Sequence, residues 1–184
     1  MQEYSDKELL DKFKNSDLAE RNFAFNLIVR KYQKKIYWHI RKILIDHDDS
    51  NDVTQNVFIK VWKNLDGFKE DSQLYTWLYR IATNESLTFL KQKKRKNLVP
   101  FSDVEYSLSN SLQSDQYMKG DEIQLKLQNA ILTLPNKQRI VFNMKYFDNI
   151  KYEEMSKILD TSVGALKASY HHAVKKIENI IKNG

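Results

Sequence analysis

From Asn97 to Gly120 the apolar residues lose all regular spacing, and that stretch limits what the chain can fold into. It reads NLVPFSDVEYSLSNSLQSDQYMKG, with five Ser and one Pro, and side chains of this kind bury too little to offset the entropy of ordering them. A structureless loop of this length inside one compact domain is unusual. On both sides of it apolar residues recur at helical spacing, and the 184 residues include only four Gly and two Pro, which argues against a turn-rich β protein. The expected fold is therefore all-α. It comprises two small helical domains, residues 1–96 and 121–184, joined by a flexible acidic linker over 97–120 that is partly extended or disordered.

In the first half, Ser5 and Glu8 have capping-box spacing ahead of Leu9, Leu10 and Phe13, which predicts a short first helix. Phe23, Ile28, Tyr32, Ile36, Ile40 and Leu44 predict a long amphipathic second helix that ends over residues 46–51. Val53, Val57, Phe58, Val61, Trp62 and Leu65 predict a third, followed by a loop from Asp66 to about Gln73. Residues 74–96 read as a fourth helix with two incompatible tasks. Leu74, Leu78 and Ile81 mark a core stripe, and Tyr75, Trp77, Tyr79, Arg80 and Asn84 cannot all share it, so an exposed aromatic surface is expected. The helix ends in Lys91, Lys93, Lys94, Arg95 and Lys96. Stacking rings followed by cations suit unpaired nucleic acid. A core helix with a solvated basic end accounts for the same residues.

In the second half, Ile123, Leu127, Ala130, Ile131 and Leu134 predict a helix ended by Pro135, and Ile140, Val141, Met144 and Phe147 predict another. A short helix over 152–159, a polar turn at Asp160, Thr161 and Ser162, and a longer helix from Val163 to about Ile181 form a helix-turn-helix pattern. Its inward residues are Leu166, Tyr170, Val174, Ile177 and Ile181. Gly164, Ala165, Lys167, Ala168, His171 and His172 are left to face a major groove.

The net charge of +6 favours a polyanionic partner without naming one. Lys and Arg exceed Asp and Glu by 19 to 14 over residues 1–96 and by 10 to 7 over 121–184, but are outnumbered 1 to 3 over 97–120, so two basic blocks flank an acidic joint. Without Cys there is neither a disulfide framework nor a thiolate metal site. His171 and His172 are adjacent and point apart on a helix, so a metal site is not expected, and no phosphate-cradling Gly loop, H-E-x-x-H or nucleophile elbow occurs. No catalytic residue, cofactor or metal is assigned. The N-terminus lacks the basic start and apolar run of a signal peptide, and no stretch approaches membrane-spanning length, so a cytoplasmic protein is expected. A conventional helix-turn-helix regulator would account for the second half alone.

Three ordered stretches resemble the extracytoplasmic-function sigma factors, the small two-domain initiation factors of bacterial RNA polymerase. They are DVTQNVFIKVWKNLDGF from Asp52, YTWLYRIATN from Tyr75, and LPNKQRIVFNMKYFDNIKYEEMSKILDTSVGALKAS from Leu134. The resemblance implies a first domain, region 2, that binds the polymerase clamp and opens the minus-ten promoter element. It implies a second, region 4, that binds the flap and reads the minus-thirty-five element, with the linker threading polymerase channels between them. The family's clamp-binding Asp and Gln fall on Asp52 and Gln55, and Asn56 stands where the family usually has Glu. Minus-ten contacts fall on Phe68, Lys69, Tyr75, Trp77, Tyr79, Arg80, Asn84 and Lys91. Minus-thirty-five contacts fall on Gly164, Ala165, Lys167, Ala168, His171, His172 and Lys175. The Lys of the family's recognition run is kept at Lys167 and its Arg is lost, which shifts the phosphate grip toward Lys175 and Lys176. Core polymerase and promoter DNA are the implied partners, and an anti-sigma factor is left open as a third.

Overall fold

The computed structural model describes residues 4–97 and 122–183. The expected linker thus lies outside the described residues except for Asn97, which ends a helix. The elements are α1 (Asp6–Asn15), α2 (Leu18–Leu44), α3 (His47–Asn64) with a 3-10 turn at Leu65–Gly67, α4 (Leu74–Asn97), α5 (Glu122–Leu132), α6 (Asn136–Tyr146), α7 (Tyr152–Leu159) and α8 (Val163–Asn183). Among the described residues there is no strand, and the fold is all-α.

The capping box forms as the spacing predicts. Ser5 Oγ accepts from the Glu8 amide, and Glu8 Oε2 accepts from the Ser5 amide at 2.7 Å. Helix α2 ends at Leu44, as expected, but residues 46–51 cap and open the next helix rather than forming a separate stretch. Asp46 caps α3 by accepting from the Asp49 amide at 2.9 Å, and His47 to Asn51 form the first turns of that helix, with Asp48 and Asp49 favoured at its positive end. The turn from α2 to α3 is therefore very short. It passes through Ile45 at φ 67°, a conformation costly for a β-branched residue, and Ile45 is 3% exposed, so burial of its side chain opposes that strain.

One face of α2 supplies the ridge on which the rest packs: Ala24, Ile28, Ile36 and Ile40 have no solvent exposure, and α1, α3, α4 and α6 all contact this helix. At one end Phe13 of α1 is completely buried, edge-on to Trp62 at 5.2 Å between centroids. The Arg21 guanidinium lies 4.1 Å from the centre of the Phe13 ring and pairs with Asp66. Ile181, expected inward, is 40% exposed, because α8 extends beyond the elements that it packs against.

The two halves touch. Ile140, Val141, Met144, Met155 and Ile158 belong to the same buried cluster as Ile40, Leu78 and Tyr79, and a smaller cluster around Ala130, Leu134, Phe142 and Ile177 is confined to the second half. Polar contacts cross the seam as well. Arg139 Nη2 and Asn143 Nδ2 donate to the carbonyls of Ile43 and Lys42 at 3.3 and 3.2 Å, so side chains of α6 satisfy the open C-terminal end of α2.

Beneath them lies a buried histidine. His39 Nε2 is 2.8 Å from Thr83 Oγ1, whose single proton goes to the Tyr79 carbonyl at 2.8 Å, so the ring donates from Nε2 and its Nδ1 is bare when neutral. Asp148 Oδ2 stands 3.7 Å from Nδ1, too far for a hydrogen bond, and Oδ1 pairs with Lys42. Burial drives His39 below its ordinary value by more than the Asp148 carboxylate raises it. Burial raises Asp148, but His39 and Lys42 outweigh it and hold the carboxyl below its usual range.

Two outcomes follow for stability. Phe13→Ala should lower the unfolding free energy by about 3–5 kcal/mol, read from urea denaturation followed by helical circular dichroism. Both His39 and Asp148 have folded-state values below their unfolded ones, so the unfolded chain takes up more protons and stability falls with pH. For His39 the loss sets in as pH drops through its ordinary value of 6.5, and for Asp148 only below 3.8. The thermal midpoint should therefore fall between about pH 7 and about pH 5, and His39→Gln, which keeps a donor toward Thr83, should flatten that part of the profile.

Candidate nucleic-acid interface

Asp52, Gln55 and Asn56 are exposed along one side of α3. Asp52 lies beyond the first turn, where Asp46, Asp48 and Asp49 already serve the cap and the helix dipole, so stabilising the helix end does not account for its charge. Beside these residues Phe25, Val29, Phe58, Ile59 and Trp62 line an apolar depression of about 500 Å³, with Ile59 52% exposed. A second concavity of about 530 Å³ shares Gln33, Thr54 and Gln55 with it and brings Arg30, Lys34 and Trp38 to the same side. An apolar floor rimmed by amides and cations suits an amphipathic helix of a partner. The sequence pattern missed Phe25, Val29 and Ile59 as site residues, although Ile59 was visible as an apolar residue off the core stripe and one turn from Gln55.

The loop after α3 is pinned to α1. Lys14 Nζ donates to the Phe68 carbonyl at 2.8 Å and pairs with Glu70 at 2.9 Å. Phe68 is 6% exposed and lies 5.0 Å from the Trp77 ring, so both rings form a wall at the start of α4 while Lys69 stays in solvent. Arg80, Asn84 and Lys91 are exposed and fall within roughly 40° of one another around the helix. Trp77 borders that stripe and is partly buried.

Tyr75 and Tyr79 lie elsewhere, roughly 100° or more around α4. Tyr79 is 6% exposed, with its ring 4.6 Å from His39, and Tyr75 is partly buried edge-on to it at 6.2 Å. The aromatic surface expected to be exposed is thus mostly covered, because α2 and the second half pack over it. Of the cations at the end of α4, Lys91, Lys93 and Arg95 are exposed and Lys93 pairs with Asp49; the side chains of Lys94 and Lys96 lie outside the described set.

In the second half Asp160 ends α7 in a left-handed conformation (φ 49°), and Ser162 Oγ accepts from the Ala165 amide at 3.3 Å to open α8. Leu166, Ala173 and Ile177 turn inward, whereas Gly164, Ala165, Lys167, Ala168, His171, His172 and Lys175 are all exposed on the outward side. This is a helix-turn-helix with its second helix free to enter a groove. Lys176 is diverted, donating to the Thr133 carbonyl at 2.5 Å, whereas Lys175 is exposed on the outward side. Among the described residues no cluster of three metal-ligating side chains occurs.

Comparison with known proteins agrees with this layout. The model for sigma-70 region 2 matches residues 28–96 and that for sigma-70 region 4 matches 124–177, together more than half of the chain. The RNA polymerase sigma-H factor of Pseudomonas aeruginosa is 29% identical over 187 residues, which cover 96% of this chain and 94% of that protein. The ECF RNA polymerase sigma-E factor of Escherichia coli is also 29% identical, over 191 residues, 98% of this chain and 96% of that one. Two solved structures share the fold at 19% identity. The sigma factor RpoE, in complex with the anti-sigma factor NepR from Bartonella quintana, has a TM-score of 0.67 and covers 86% of this chain and 96% of its own. CnrH in complex with the cytosolic domain of CnrY has a TM-score of 0.70 and covers 97% of each. With both regions matched in order and the helix-turn-helix in place, the chain belongs to the extracytoplasmic-function sigma factors, the promoter-specific initiation factors of RNA polymerase.

Proposed function

We propose that this sigma factor holds the polymerase clamp with α3, through Asp52, Gln55, Asn56 and the apolar depression around Ile59, and takes hold of the opened minus-ten strand with the loop after α3 and the exposed stripe of α4. The observation that carries this assignment is that Arg80, Asn84 and Lys91 share one solvent-facing stripe, with the Phe68 and Trp77 rings at its start. Pulling a base from the duplex costs a few kcal/mol, which stacking and edge hydrogen bonds in a pocket can return. The factor thus needs neither a cofactor nor a reaction of its own, and works in the cytoplasm with polymerase. Among the described residues no helix is long and apolar enough to cross a membrane. The outward side of α8 reads the minus-thirty-five duplex, with Lys167, Ala168 and His171 toward bases and Lys175 toward phosphate. The C-terminal half also meets the flap. An anti-sigma factor is the further partner, as the neighbour RpoE is bound to one, and the apolar depression on α3 is a surface such a partner would cover.

The clamp assignment is tested by Asp52→Ala with Gln55→Ala. The double variant should keep its helical circular dichroism and bind core polymerase at least tenfold more weakly, a loss of about 1.4 kcal/mol. Unchanged affinity in a pull-down titration would remove α3 from the interface.

The two DNA surfaces should respond differently. Lys167→Ala should weaken promoter binding by about 1–3 kcal/mol and relax the minus-thirty-five preference if the lysine reads a base; a phosphate contact would instead give a uniform loss and a shallower salt slope. Asn84→Ala should leave duplex binding intact but reduce permanganate reactivity of unpaired thymines, with partial rescue on a pre-melted bubble. Full reactivity on closed linear template, with unchanged minus-ten preference, would exclude Asn84 from melting.

A further inference from the structure

Helix α8 presents two adjacent, exposed histidines on the side that is free to meet a duplex. We propose that the hold of α8 on the minus-thirty-five duplex is proton-coupled: His172 takes up a proton as it closes on a backbone phosphate, so the factor grips its promoter more tightly as pH falls through the neutral range. This rests on the assignment of α8 to that duplex made above, and it gives a role to a residue that the assignment left without one.

Helical geometry sorts the exposed residues of α8. Gly164, Ala168, His171 and Lys175 fall within roughly 60° of one another around the helix. Gly164, Ala165 and Ala168 are small, and a Cβ added at Gly164 would meet nothing within 4 Å, so the start of this stripe can approach a duplex closely. Lys167 borders the stripe on one side and His172 on the other, about 140° apart. A major groove about 12 Å wide just admits a helix about 10–12 Å across, so a stripe aimed at the floor of the groove leaves its two flanks against the phosphate walls. On one flank the long stem of Lys167 reaches base or phosphate. On the other, Lys176 is turned away to the Thr133 carbonyl, and the group left near the wall is an imidazole, whose charge depends on pH.

The surroundings of His172 set the sign. On α8 they are His171, with its ring centre 6.1 Å away, then Lys175 and Lys176, with Glu178 farther along. Helices α5, α6 and α7 pack against α8. With their turns they carry Lys126, Lys137, Lys145, Lys151 and Lys157 against the carboxylates Glu153, Glu154 and Asp160. Glu154 is engaged by Thr76, whereas Lys145 and Lys167 both lie against the Tyr152 ring, at 5.2 and 5.9 Å from its centre. The surface is mainly cationic. A further proton there meets repulsion in solvent and attraction once phosphates stand against it. Binding therefore takes up a proton, and affinity rises as pH falls; the gain is lost above the range in which the bound imidazole titrates.

Polymerase holoenzyme assembled with this factor provides the test. The probe is a fluorescein-labelled duplex that carries a minus-thirty-five segment selected from random sequence by that holoenzyme and ends before minus-ten, so that opening plays no part. Between about pH 8 and about pH 6.5 the wild-type affinity should rise by about tenfold, within the limit of about tenfold per unit of pH that one proton sets. His172→Gln should change by no more than about twofold over the same range. His172→Arg, charged throughout, should bind at about pH 8 as tightly as the wild type does at about pH 6.5. His171→Gln should keep the wild-type slope. Calorimetry in buffers of different ionisation enthalpy should detect proton uptake by the wild type and none by either His172 variant, and circular dichroism confirms that each variant is folded across the range.

A wild-type slope that survives in His172→Gln, or a His172→Arg variant no tighter than the wild type at about pH 8, would overturn the proton coupling. The assignment of α8 fails differently, because Lys167→Ala would then bind like the wild type at every pH. Weaker binding by Lys167→Ala together with an unchanged slope in His172→Gln would keep α8 on the duplex and remove only the proton.

Discussion

The first half of the molecule is arranged around the burial of one stripe of α2. Ala24, Ile28, Ile36 and Ile40 lose all contact with water, and fully burying an Ile side chain contributes about 1.5–3 kcal/mol relative to leaving it exposed. A single helix cannot bury its own stripe, so α1, α3 and α4 close around it, and the direction each approaches from decides which of its sides is left to solvent. The exposed side of α3 that carries Asp52, Gln55 and Asn56 and the outward stripe of α4 are what remains after that packing. The proposed contacts occupy surfaces that the core did not need.

Much of this could be read from residue order because it is local. The Ser5 and Glu8 cap, the apolar stripe of α2 and the short-helix, turn, long-helix pattern at residues 152–183 all rest on groups a few positions apart. The start of α3 was misread for a reason that is also local. Asp is a poor residue inside a helix but a good one at its beginning, so the acidic run of 46–51 read only as the end of α2 when it is also the entrance to α3. Ile181 was placed inward because its spacing fits the stripe, but periodicity cannot tell where the supporting neighbours stop.

The site was less legible, because its decisive contacts join residues far apart in sequence. Tyr79 is covered by His39 from α2 and by elements of the second half, and nothing around Tyr79 in the sequence announces either neighbour. Lys42 and Asp148 are 106 positions apart. The exposed members of the expected minus-ten set on α4, Arg80, Asn84 and Lys91, were recoverable from helical geometry, since they fall on one stripe whatever packs behind them. The buried members were not.

The unbroken course of α4 has a mechanical meaning. From Leu74 to Asn97 it is one helix of 24 residues, about 36 Å long at 1.5 Å per residue, with neither Gly nor Pro in it to serve as a joint. Its exposed stripe of Arg80, Asn84 and Lys91 and its covered tyrosines are therefore two sides of the same stiff rod. A partner cannot bend one side to adjust the other; it can only lift away whatever lies against it. Control over this helix is then a matter of access rather than of shape, closer to a shutter than to a spring.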